Sequence, residues 1–157
     1  MRKYKRIIAA IDFSGYTKNV IAHSITLARA LNAELIVANV INQREIDATY
    51  MAMNRLQRRD FHRVSVETCI EQLKEERNEE MEKLQNEYDF SDIDVRFEIL
   101  DGVPYKEIME LIEKETADLV VMGVKGRGEL ADVIVGSTAL KMFRRCPVPL
   151  ITLREKA

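Results

Sequence analysis

Leu119-Val120-Val121-Met122-Gly123-Val124-Lys125-Gly126-Arg127-Gly128 runs four apolar residues straight into three glycines within six positions. The apolar part shows no polar alternation, so it reads as a strand covered on both faces. The glycines read as the loop at its carboxyl end. Without a Cβ, they let backbone N–H groups approach an anion closely. A buried strand that ends in such a loop predicts a parallel sheet with a ligand beyond its strand ends.

Working outward, four more apolar runs appear: Ile7–Ile11, Leu35–Ile41, Val95–Leu100 and Leu150–Leu153. The first two are nearly continuous in Ile, Val, Leu and Ala, as interior strands are. The third alternates, with Val95, Phe97 and Ile99 set against Arg96 and Glu98. The last is short and flanked by Pro147 and Pro149, which suits an edge. Helical patterns fill the intervals. Thr17–Leu31 places Val20, Ile21, Ile25, Ala28 and Leu31 at spacings of three and four. From about Ser65 to Tyr88 a seam of Val66, Ile70, Leu73, Met81 and Leu84 is interrupted by Arg77, with Glu and Lys on the other faces. Pro104 opens a helix with Ile108, Leu111 and Ile112 inward, and Ser137–Arg145 forms another, stopped before Pro147. Strict alternation of strand and helix predicts an α/β fold with right-handed crossovers. Burial and analogy to doubly wound sheets give a Rossmann-like open parallel five-stranded sheet, order 3-2-1-4-5, with helices on both faces.

The 157 residues fit a single domain over 1-157. With 46% hydrophobic and 32% charged residues and a net charge of −2, the chain has a globular composition and no general attraction for nucleic acid or anionic lipid. Two cysteines exclude a disulfide framework. No apolar run approaches the ~20 residues of a membrane span. The basic start Met1–Arg6 is followed by too short an apolar stretch for a signal peptide, so a cytoplasmic location is expected. Asn42–Val64, with Met51, Met53, Leu56, Phe61 and the basic run 55–59, is too long for a structureless loop and is expected to be partly helical. Its basic run reads as a solvated helical face in preference to a nucleic-acid contact.

In sheet order 3-2-1-4-5 the ligand crevice falls between strands one and four. Strand one ends there at Ile11-Asp12-Phe13-Ser14-Gly15, opposite the glycine loop. Gly136-Ser137-Thr138 then opens the last helix, whose first N–H groups lack partners and carry partial positive charge. Those groups form a phosphate cradle, with Lys125 and Arg127 at its rim. A Walker loop is absent. A dinucleotide fingerprint is formally matched by Gly126-x-Gly128-x-x-Ala131, but it follows the fourth strand and lacks the acidic residue expected about 20 positions on.

The string Gly123-x2-Gly126-x9-Gly136-Ser137 resembles the nucleotide-binding signature of the universal stress protein family, ATP-binding branch. Ile7–Ser14, Glu34–Ile41, Asp101-Gly102-Val103-Pro104, Ala117–Gly123 and Cys146–Ile151 resemble that family's strands and turns, so the likeness covers most of the chain. The resemblance implies ATP as ligand, with Mg2+ or Mn2+ held mainly by the phosphates. It implies Asp12 at the adenine or ribose end, Ala10 lining the adenine pocket and Val40 contacting adenine through its main chain. Met122, Gly123, Lys125, Gly126, Arg127 and Gly128 would form the loop around the phosphates, closed by Gly136, Ser137 and Thr138. It further implies a homodimer paired through the C-terminal edge strand and a nucleotide-dependent regulator of stress response, with an unknown protein partner and neither nucleic acid nor membrane. Ala10 stands where some relatives carry Pro, Asn39 where a His is often found, and Val124-Lys125 where a small-plus-basic pair is common. The alternatives are a slow ATP hydrolase needing a partner, and a nucleotide-independent interaction module using 42–64. Phosphoryl transfer needs metal ligands and a placed base, and Asp12 is the one acid read at the crevice.

Overall fold

The computed structural model describes residues 4–56, 64–125 and 135–154. The element order is β1 (Arg6–Ile11), α1 (Thr17–Leu31), β2 (Glu34–Asn42), α2 (Gln43–Leu56), α3 (Val66–Glu87), β3 (Val95–Gly102), α4 (Pro104–Glu115), β4 (Leu119–Gly123), α5 (Ser137–Arg145) and β5 (Leu150–Leu153). The sheet is parallel throughout, in order β3-β2-β1-β4-β5. This is the order expected from the apolar runs: the continuous ones lie inside, the alternating and short ones at the edges.

The period-two alternation of each inner strand divides the core in two. Ile7, Ala9 and Ile11 join Leu35, Val37, Leu119 and Val121 on one face, under α1 and the Met81–Leu84 turn of α3. Ile8, Ile36, Ala38, Val120 and Met122 join Ile108, Leu111, Ala139 and Met142 on the other, under α4 and α5. The chain leaving β1 therefore turns to one face and the chain leaving β4 to the other. That opposition opens a crevice between two adjacent strands.

Local chemistry sets the helix ends. Asn32 and Thr116 adopt left-handed φ of 49° and close α1 and α4 with backbone hydrogen bonds to the preceding turn. Ser65 caps α3, its hydroxyl accepting from the Thr68 N–H at 3.1 Å. The 42–64 segment is helical over α2, which packs Ile46 against Ile41 and Leu73 as a third, smaller core. Of the basic run 55–59, residues 57–59, with Arg58 and Arg59, lie outside the described residues.

Arg77, the charge that interrupts the apolar α3 seam, is buried on that seam. The buried positions of α3 are Cys69, Leu73, Arg77, Met81 and Leu84, and Arg77 is 4% exposed. A guanidinium can take such a position because its charge is matched, by Glu45 of α2 and by Glu80 one turn on, at 2.9 Å. It also lies over the Phe13 ring, 6.0 Å from the centroid.

Candidate functional site

The site begins where β1 stops. The β1–β2 ladder ends at Ile11↔Asn39 and the β1–β4 ladder at Ala10↔Met122, whereas β2 and β3 stay paired to Asn42↔Gly102. β2 thus runs on from Val40 to Asn42 without a β1 partner. The chain after Ile11 turns away at Phe13, a non-glycine residue with φ of 56°. Asp12 accepts the Ser14 N–H at 3.1 Å, and Ser14 in turn accepts the Thr17 N–H at 3.0 Å, which delivers the chain into α1. The gap left between the tail of β2 and the end of β4 holds a cavity of about 530 Å³.

Its two ends differ. Toward β2 and β3 the wall mixes apolar Ala38, Val40, Pro104 and Ile108 with polar Asn39, Asn42, Arg44 and Glu45. Toward β4 and α5 it is made of Gly123, Lys125, Gly136, Ser137 and Thr138. Gly136 is the N-cap of α5, so no side-chain oxygen caps the helix, and its first turn has no acidic residue. A helix start carries N–H groups and a dipole that favour an anion, and Gly136 brings no side chain to compete for them. The Gly136 N–H donates to the Val124 carbonyl at 2.8 Å, holding the helix start against the end of β4. Gly123 has a second reason to be glycine. A Cβ there would lie 2.8 Å from the Tyr16 Cβ, so α1 could not pack this close to β4.

Of the residues singled out in the sequence, Ala10, Asp12, Val40, Met122, Gly123, Lys125, Gly136, Ser137 and Thr138 line this one cavity. Gly126, Arg127 and Gly128 lie outside the described residues. Sequence reasoning missed Tyr16, Thr17, Arg44, Glu45 and Arg77, which also line it. The signal for Arg77 was present as the one cation on an otherwise apolar seam. Glu45 adds a second acid to the crevice besides Asp12, but its carboxylate is engaged by Arg77. Asn39 is 2% exposed and donates through Nδ2 to the Ile11 carbonyl at 2.9 Å, pinning the last paired residue of β1. Three buried side-chain atoms have no hydrogen-bond partner among the described residues: Thr17 Oγ1, Ser24 Oγ and Asn39 Oδ1. Two of these belong to cavity residues, so polar satisfaction is least complete here.

One group with chemical potential, the Cys146 thiol, is not among the residues lining the cavity. Burial pushes the Cys146 thiol up, against the pull of the Val148 backbone, which is the reverse of an activated nucleophile. Among the described residues, no cluster of three or more His, Cys, Asp or Glu is placed to hold a metal ion, and no helix is long and apolar enough to cross a membrane.

The model of the universal stress protein family matches residues 3–154. The chain belongs to that family. Two universal stress proteins of Methanocaldococcus jannaschii are similar to it along nearly its whole length. MJ0531 is 28% identical over 97% of this chain and 83% of its own, and MJ0577 is 27% identical over 98% and 96%. Among solved structures, MJ0577 superposes with a TM-score of 0.73 at 24% identity, covering 99% of both chains. UspA of Lactobacillus plantarum gives 0.75 at 20% identity, covering 98% of this chain and 100% of its own. A universal stress protein solved in complex with cAMP gives 0.60 at 20% identity, covering 99% of this chain and 100% of its own. The expected fold and family membership therefore both hold.

Proposed function

We propose that this universal stress protein binds ATP in the cavity between β1 and β4, and that occupancy makes it a homodimeric, nucleotide-dependent regulator in stress response. The observation that carries the reading is the asymmetry of the cavity: aliphatic Ala38, Val40, Pro104 and Ile108 at the β2 end, where main chain extends past β1, and a helix start without a side-chain cap, with Gly123, Lys125 and Ser137, at the opposite end. A purine suits the first and phosphates the second. Adenine lies against Ala10 and the Val40 main chain, with Asp12 at the adenine or ribose side. Gly123, Lys125, Gly136, Ser137 and Thr138 receive the phosphates, together with Gly126, Arg127 and Gly128 of the same loop. The residues fit the group, since the α5 N–H groups have no side-chain cap competing for them. Mg2+ or Mn2+ would ride on the phosphate oxygens. The cAMP complex of a structural relative supports an adenine nucleotide as the ligand class.

Turnover is at most slow. Of the two acids that line the cavity among the described residues, Glu45 is held by Arg77 and Asp12 accepts from the Ser14 turn, so neither stands as a placed base. The dimer forms through β5, which has one strand neighbour and a free outer edge. Beside it, α5 exposes Phe143 at 80% and Leu140 at 40%, apolar area that a second copy would cover.

The test is to denature the purified protein and identify the nucleotide released, then to titrate emptied protein with Mg·ATP, ADP and cAMP. ATP in the supernatant and micromolar or tighter binding are expected. Gly136→Val, alone and with Gly126→Val, should abolish binding while leaving a folded dimer. Gly136 sits at φ −66° and ψ 155°, which valine also adopts. Unchanged affinity in the double variant would refute the site.

A further inference from the structure

The first turn of α2 forms part of the cavity wall, and it is firmly held. Ile46 is 1% exposed in the small core beneath it. Glu45 is ion-paired to the buried Arg77, and the Arg44 N–H donates to Asn42 Oδ1 at 3.1 Å. Arg44, between these anchors, behaves differently. Its side chain is exposed and lines the cavity, and among the described residues it has no ion-pair partner. An unpaired guanidinium on a rigid turn, at the mouth of a cavity, is placed to meet whatever enters.

Its place in the sheet says which part of a ligand it meets. Arg44 follows the end of β2, whereas Lys125 and Ser137 follow β4, two strands away. Two strand spacings are about 9–10 Å. The wall on the Arg44 side joins aliphatic Val40, Pro104 and Ile108 to polar Asn39, Asn42 and Glu45, and the one aromatic residue lining the cavity among those described is Tyr16, packed beside Gly123. The purine end therefore lacks an aromatic platform, and the planar guanidinium is the group there that can stack on a flat π-system.

We propose that Arg44 is a specificity-determining contact, its guanidinium lying on the face of the purine and closing that end of the slot, with the Arg77–Glu45 pair acting as a positioning device behind it. This rests on the nucleotide reading above. The ligand chemistry it selects is a planar, electron-rich base, irrespective of how many phosphates follow.

The experiment is calorimetric titration of the full chain with adenosine, AMP and Mg·ATP at fixed ionic strength, for the unaltered protein, Arg44→Ala and Arg44→Lys. Arg44→Ala should weaken all three ligands by the same factor, roughly five- to tenfold, the scale of a desolvated guanidinium–ring contact. Arg44→Lys should lose nearly as much, because a compact ammonium does not stack as a plane. A loss confined to ATP and restored by lysine would make Arg44 a phosphate-charge residue and overturn the proposal, as would unchanged affinity for adenosine. If Arg44→Ala melts early without ligand, Arg44→Lys, which keeps the aliphatic stem, decides. Failure of all three ligands to bind the unaltered chain would overturn the nucleotide reading and this contact together. A selective failure in the variants touches Arg44 alone.

Discussion

The two ends of the sheet handle charge in opposite ways. At the amino ends of the strands, charges form a redundant ladder. Glu34 accepts from Arg6 and from Arg96, each at 2.6 Å, and Arg96 also reaches Glu98 at 3.0 Å and Glu115 at 2.6 Å. Asp118 caps the entry of β1 by accepting the Lys5 and Arg6 N–H groups at 2.8 and 3.2 Å. At the carboxyl ends, one buried cation, Arg77, carries the matching of two acids, and beside it stand an uncapped helix start and two orphaned side-chain atoms. The first arrangement spreads its load over many contacts. The second leaves polar groups unspent where a ligand can use them, and relies on a few residues to keep the cavity open.

If that contrast is right, single substitutions should be costly at the carboxyl end and mild at the other. Arg77→Ala should have the largest effect, about 2–3 kcal/mol by chemical denaturation, because it leaves a void and two unmatched carboxylates. Those carboxylates are about a third exposed, so water takes up part of the loss. Arg77→Met should cost less, since a well-packed apolar side chain can replace a buried pair with little penalty. An Arg77→Ala chain as stable as the parent would erase the contrast.

Gly123→Ala comes next, at about 1–3 kcal/mol, the scale of overpacking. The clash is with the Tyr16 Cβ at 2.8 Å. Tyr16→Ala should therefore fail to relieve it and Tyr16→Gly should relieve it, which thermal melts of the double variants would separate. Relief by Tyr16→Ala would mean that the ring, not the backbone approach, sets the glycine.

The smallest effect belongs to the ladder. Burial alone would raise the Glu34 carboxyl, but hydrogen bonds from Arg96 and Arg6 outweigh it and hold it below the ordinary range. A carboxyl depressed in the folded state contributes stability that is fully present above its unfolded value of about 4.3, and is lost as pH falls through the lower folded value. Glu34→Gln should therefore cost about 1 kcal/mol at neutral pH and flatten the fall in stability between pH 5 and 3, with nucleotide affinity unchanged. An equal slope in both proteins would remove Glu34 from the acid response.

Much of this was legible in the residues themselves. Continuous apolarity marks β1, β2 and β4 because both faces of an inner parallel strand are covered, and alternation marks β3, an edge strand that is half-buried along its length. The glycine loop and Gly136-Ser137 are legible because anion approach and helix initiation each demand particular backbone chemistry at fixed chain positions. These are local demands, so the chain order alone places nine cavity residues in one crevice once the sheet order is inferred.

The burial of Arg77 and its pairing with Glu45 were not legible, for the opposite reason. A cation on a helix seam looks like an interruption until another helix supplies its counter-charge, and Glu45 is 32 residues away. The packing role of Gly123 likewise depends on how close α1 comes to β4, and the stance of Arg44 on how α2 is anchored over the tail of β2. By itself, then, the amino-acid order determined which segments are strands and helices, which strands are covered, and where the glycines and the last helix start fall, because each follows from properties of neighbouring residues. Tertiary structure alone decided which charges are matched, which glycine is sterically required and which cation lines the cavity without an ion pair among the described residues, because these depend on distances between segments far apart in the chain.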